Sequence, residues 1–122
     1  MDSSGDVYVG DHNNNRIQKI TPAGVVSTFA GSGTAGHQDA TGTAAQFDGP
    51  RGVTVDSSGI LYVTEYTGNR IRKITPGKVV STFAGSTAGQ FNFPHGVAVD
   101  SSSGNVYVAD RVNHRIRKIE YK

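Results

Sequence analysis

The chain has no cysteine and no tryptophan, and only one methionine and four prolines among its 122 residues. Without cysteine, disulfides and thiolate metal sites are excluded, and the redox compartment is left open. Charge is also sparse. Charged residues make up 18% and the formal net charge is +2, too small a surplus to argue for nucleic acid by itself. No apolar run approaches the roughly 20 residues that a membrane helix needs. The opening Met1-Asp2-Ser3-Ser4-Gly5 has neither a basic nor an apolar leader region, so no signal peptide is expected in this sequence. Its length allows one core, not two.

What is abundant is glycine, 16 residues, and a repeated pattern. Asp2-Ser3-Ser4-Gly5 returns as Asp56-Ser57-Ser58-Gly59 and, one serine longer, as Asp100-Ser101-Ser102-Ser103-Gly104. A short strand follows each time: Val7-Tyr8-Val9, Leu61-Tyr62-Val63, Val106-Tyr107-Val108. A basic segment comes next, starting at Arg16-Ile17, Arg70-Ile71 and Arg115-Ile116 and ending Lys-Ile in each copy. Two copies continue into Val25-Val26-Ser27-Thr28-Phe29 and Val79-Val80-Ser81-Thr82-Phe83. Linkers of unequal length then converge on Pro50-Arg51-Gly52-Val53 and Pro94-His95-Gly96-Val97.

Short β-rich runs bounded by Gly, Pro, Asn, Asp and Ser leave no room for intervening helices. Four strands in roughly 45–55 residues is the pattern of a propeller blade. The strands alternate poorly because both faces of a blade are covered by neighbours. The expected fold is therefore all-β, one unit spanning 1–122 with repeats 2–55, 56–99 and 100–122. If the strands of a blade are lettered a to d from the channel outward, the chain reads b-c-d, a-b-c-d, a-b-c.

The frame Pro-x-Gly-Val-x-Val-Asp-x-x-Gly-x-x-Tyr-Val, followed by Asp or Glu and then Asn/His-Arg-Ile-x-Lys-Ile, resembles the NHL repeat. The insert from Ala30 to Phe47 resembles the long linkers of bacterial members. The resemblance implies a propeller, often six-bladed, in a family that mostly binds proteins or RNA and includes a minority of metal-dependent lyases and hydrolases. A closed ring needs about four to eight blades, so this stretch is expected to be incomplete alone and completed by oligomerisation. Head-to-tail association closes a ring when the rotation allows, and two copies of three blades each would give six. The expected partner is a second copy, with a protein partner as a further option and neither nucleic acid nor membrane favoured. The expected role is a non-catalytic scaffold or binding module without metal or cofactor.

Three acid–arginine spacings recur: Asp11 with Arg16, Glu65 with Arg70, and Asp110 with Arg115. Each pair faces itself across a hairpin, which suggests structural ion pairs more than a ring of ligand-binding charges. Asp2, Asp56 and Asp100 are explained by turn chemistry. His12, His37, His95 and His114 show no ligand spacing. No Gly-x-Ser-x-Gly elbow occurs, and the glycine-rich Gly31–Gly36 stretch lacks a following Gly-Lys-Ser/Thr. The basic strand carrying Arg16, Lys19, Arg70, Arg72, Lys73, Arg115, Arg117 and Lys118 is the alternative site, for RNA or an acidic polymer on an outer belt. Phe29, Phe47, Phe83, Phe91 and Phe93 read as core between blades. Binding is expected in the loops that vary while their frame does not: His12, Asn13 and Asn14; Tyr66 and Thr67; Arg111, Val112 and Asn113; and Arg51 and His95 beside them.

Overall fold

The computed structural model describes residues 4–85, 91, 93–100, 103–111 and 115–119. The Asp2 turn, Val112, Asn113 and His114 lie outside the described residues. Ten strands form: β1 (Val7–Asp11), β2 (Arg16–Ile20), β3 (Val26–Ala30), β4 (Pro50–Val55), β5 (Leu61–Glu65), β6 (Arg70–Ile74), β7 (Val80–Ala84), β8 (Pro94–Val99), β9 (Val106–Asp110) and β10 (Arg115–Ile119). They make three antiparallel sheets in the orders β1-β2-β3, β4-β5-β6-β7 and β8-β9-β10. These are b-c-d, a-b-c-d and a-b-c, as the repeat implies.

Turn chemistry fixes the hairpins. Asp56 Oδ1 accepts from the amides of Ser58 and Ile60, each at 2.9 Å, and Gly59 takes φ +83°. Between strands b and c, Asn15 and Asn69 stand in the left-handed region at φ 55° and 58°, which asparagine tolerates. Each then reaches into the next blade: Asn15 Oδ1 accepts from Gly49 N–H at 2.9 Å, and Asn69 Oδ1 from Phe93 N–H at 2.7 Å. A turn residue thus also positions the following strand a.

The sheets stack face to face. In β5, Leu61 and Val63 point to the preceding blade and Tyr62 and Thr64 to the following one, as the two-residue period requires. The first interface joins Tyr8, Ile17, Phe29 and Ala30 to Val53, Val55, Leu61, Val63, Ile74 and Val80, with Phe47 set between. The second repeats it with Tyr62, Ile71, Phe83 and Ala84 against Val97, Val99, Val106, Val108 and Ile119, with Phe91 set between. Tyr8 meets Phe29 edge-on at 5.1 Å, and Tyr62 meets Phe83 at the same distance. Each fully buried side chain of this size contributes about 1.5–3 kcal/mol.

Only the middle blade has both faces covered, and every residue of β5 is buried. The outer flanks show what is missing. Ile71 is 0% exposed, whereas its counterpart Ile116 is 73% exposed; Tyr62 is 1% and Tyr107 36%. At the other end Val7 and Val9 are 38% and 41% exposed, against 1% and 0% for Leu61 and Val63.

The linker from Gly31 to Gly49 runs along the outside of the second blade. Ala40 O accepts from Val80 N–H and Lys78 O from Gly42 N–H, both at 2.8 Å, and Thr41 bridges Val79. This covers part of the otherwise open β7 edge. On the inner side, strands a lie close to the blade before. A Cβ on Gly52 would strike the carbonyl oxygen of His95, whereas Gly96, the same repeat position, has nothing within 4 Å. Gly52→Ala is therefore expected to destabilise by about 1–3 kcal/mol, and Gly96→Ala to stay within about 0.5 kcal/mol, as measured by urea denaturation.

Candidate functional site

Two groups of polar side chains converge from different repeats. The first is buried. Arg72, on strand c of the second blade, is fully buried, as is Glu65. Their side chains pair at 3.3 Å between Nη1 and Oε2. Arg72 also donates to Gln46 O at 2.8 Å and Gln38 O at 3.2 Å, and meets Asp39 Oδ1 at 2.6 Å. Its guanidinium carbon lies 5.2 Å from the centre of the Phe47 ring. Glu65 Oε2 additionally accepts from Asp48 N–H at 2.7 Å. The second blade thereby holds the linker at its middle and near its end. The third blade repeats the device: Arg117 Nη1 lies 3.1 Å from Asp110 Oδ2, and the guanidinium carbon 5.3 Å from the Phe91 ring. In the first blade Gln18 replaces the arginine and donates to Asp11 at 3.4 Å.

The ion pairs expected from the sequence are thus displaced by one step along strand c. Glu65 stands opposite Arg70 and Asp11 opposite Arg16 in the ladder, but Glu65 bonds Arg72, and Arg16 donates to Ser32 O at 3.4 Å. The diagonal neighbour on the same face lies within reach of a long arginine, and there the linker carbonyls supply further acceptors. Asp110 likewise takes Arg117, although Arg115 is its ladder partner. The outer-belt reading of the basic strand also needs correction. Arg72 is sealed beneath the linker, Arg117 is ion-paired, and Lys19 meets Asp6 at 3.4 Å.

Burial pushes the Glu65 carboxyl up to about 7, against the opposing pull of Arg72, the Asp48 amide and Arg70. Such shifts often mark catalytic acids. Here the carboxylate has no solvent exposure and faces a structural arginine, so it serves as a tie. His37 Nδ1 lies 3.8 Å from Glu65 Oε1. Burial, then Arg70, lowers the histidine's pKa below its ordinary value, with Asp48 pulling the other way. Sequence reasoning missed this contact because a linker residue meets a strand residue 28 positions later.

The second group is a surface cluster around Tyr66, in the loop between strands b and c of the middle blade. The His12 ring, from the matching loop of the first blade, stands edge-on at 5.7 Å. Phe93 lies at 5.0 Å and His95 at 6.2 Å, both from the strand a region of the third blade. The guanidinium carbons of Arg51 and Arg111 lie 5.0 and 5.9 Å from the ring centre. Arg111 Nη1 also donates to the Tyr66 hydroxyl at 3.0 Å. Five of the loop residues expected to bind are therefore brought together from three blades. Asn13 and Asn14 turn to their own loop, toward His12 and Asp11, and Thr67 packs on Gly49.

Phe93 was expected in the core, but it is exposed and belongs to this cluster. The signal was present: Phe93 occupies the repeat position of Gly49, which carries φ +66°. Phe93 takes φ +52° there. Among the described residues no three His, Cys, Asp or Glu side chains gather for a metal ion.

Repeated antiparallel sheets of three or four strands that stack face to face are the blades of a β-propeller. The chain belongs to the NHL-repeat family, whose model matches residues 1–20, 47–74 and 91–119. A solved structure of a protein of unknown function from Bacteroides thetaiotaomicron is 29% identical, with a TM-score of 0.83 over 94% of this chain and 32% of its own. An auxiliary nutrient binding protein from the same organism is 24% identical, with a TM-score of 0.81, covering 96% and 35%. A streptogramin B lyase structure, 18% identical with a TM-score of 0.69, covers 98% and 38% of the respective chains, and shares the fold alone. The chain spans about a third of these structures, and no more than 7% of the curated relatives it matches.

The buried tie has a pH signature. Glu65 in the unfolded chain titrates near 4.5 and in the folded chain near 7. The folded state therefore holds the extra proton between those values, and the stability from this group falls as pH rises through that window. His37 acts oppositely, losing stability as pH falls. Relative to Glu65→Gln, which keeps the neutral form, the parent chain should gain melting temperature between pH 8 and pH 5. Calorimetry of both proteins across that range measures it.

Proposed function

We propose that the chain is a non-catalytic binding module of an NHL propeller, whose open flanks are covered by head-to-tail docking of a second copy. The observation that carries this is the equivalence of each bare flank to one half of an interface already built. Tyr107 and Ile116 repeat Tyr62 and Ile71; Val7 and Val9 repeat Leu61 and Val63. A second copy therefore offers each flank the chemistry that its interior counterpart buries. Two such stacks supply six blades.

A concavity lined by Ala109, Asp110, Arg111, Arg115 and Ile116 lies on the same bare flank. At the two built interfaces the matching position receives the next strand a: Gly10 abuts the Arg51 backbone, and Thr64 donates to His95 O at 2.5 Å. The hollow beside Ala109 is thus read as a docking seat for a blade, not as a substrate pocket. The non-catalytic reading is supported by the buried charges, which are engaged in holding the linker. The rival, a metal-dependent lyase or hydrolase, would require carboxylates or histidines converging on the channel.

Light scattering at micromolar concentration should return twice the chain mass. Ile116→Asp with Tyr107→Ser should give a folded monomer. Ile71→Ala, at the equivalent buried position, should cost about 2–5 kcal/mol of stability. A cooperative, monodisperse monomer of the parent chain would exclude the docking.

A further inference from the structure

Four of the seven arginines form two contrasting pairs. Arg72 and Arg117 are neutralised by Glu65, Asp39 and Asp110. Arg51 and Arg111 are exposed, flank one tyrosine ring, and have no carboxylate within 4.0 Å among the described residues. Arg111 uses one N–H on the Tyr66 hydroxyl, and a guanidinium carries five. The remaining donors of both arginines face solvent in the one place where five expected loop residues meet.

Phe93 supplies an independent observation. Its left-handed backbone is unfavourable for an aromatic residue, and the same position in the previous repeat is glycine. The ring is 36% exposed, so the core gains little from it. What its position provides is a second aromatic surface 5.0 Å from Tyr66, beside the two free cations. His12 Nε2, shielded from solvent in the same cluster, has no hydrogen-bond partner.

We propose that Arg51, Tyr66, Phe93 and Arg111 form a binding site for a small oxyanion carried on a sugar ring. The guanidinium forks match a carboxylate or phosphate in bidentate geometry, and the exposed part of Phe93 offers a surface for the apolar side of the ring. Two fixed cations suit one small anion. A nucleic-acid track would call for a longer run of phosphate contacts. The four residues lie within a single chain, and Arg111 is shared with the hollow beside Ala109 that is read as the docking seat.

Isothermal titration of the full chain with glucuronate, glucose-6-phosphate, glucose and poly(U) tests the site. Glucuronate or glucose-6-phosphate should bind, more weakly as salt is raised, and glucose should not. The stronger of the two acids identifies the anion as carboxylate or phosphate. Arg51→Ala and Arg111→Ala should each weaken binding about tenfold or more. Phe93→Gly, which relieves the backbone, should weaken binding without lowering the melting temperature. Arg51→Lys, which keeps the charge but not the planar fork, should also lose affinity and covers the case of an alanine variant that fails to fold. Lys78→Gln, a cation on a distant turn, should bind as the parent does. Failure of both acids at millimolar concentration, affinity unchanged in the arginine variants, or preference for poly(U) over both acids would overturn the proposal.

Discussion

A propeller blade is a sheet with two apolar faces, and both must be covered. Every other feature of this chain follows from that constraint. The middle blade meets it and buries all of β5. The outer two meet it on one side each, and their bare sides carry the valines, tyrosine and isoleucine that the middle blade hides. Close stacking also explains Gly10 and Gly52, which admit the backbone of the next strand a where a Cβ would collide.

Apolar stacking alone does not fix where a long linker runs. In this chain charge does so. A buried ion pair is a weak source of net stability, but Arg72 has acceptors on Gln38, Asp39 and Gln46 of the linker as well as on Glu65 of β5, and so holds the linker at its middle and near its end. The same geometry over Phe91 at Arg117 shows that the tie belongs to the repeat. Gln18 stands at the corresponding place in the first blade and donates to Asp11.

The loops that gather around Tyr66 were singled out in the sequence because copies differ there while their frame is constant. His12, Tyr66 and Arg111 are three different answers at corresponding loops, and Arg51 and His95 differ at one strand position. The sequence did not disclose that they share a single ring as their centre, because that requires the angle between blades. Phe93 was misread as core, since an apolar residue before a Pro-x-Gly turn resembles Phe47 and Phe91. Its repeat position, that of Gly49, separates it from them.

The sequence by itself determined the strands, the turns and the blade order, because these rest on local patterns: a two-residue period, Asp and Gly at turns, and repetition. It also determined which carboxylates would be engaged, but not with which partners. Partner choice between Arg70 and Arg72 was decided by the tertiary structure, which brings linker carbonyls from 26 and 34 residues away to one guanidinium and to none of its neighbours'. Likewise the gathering of loops from three blades around Tyr66 follows from the stacking of sheets, a property of no single repeat.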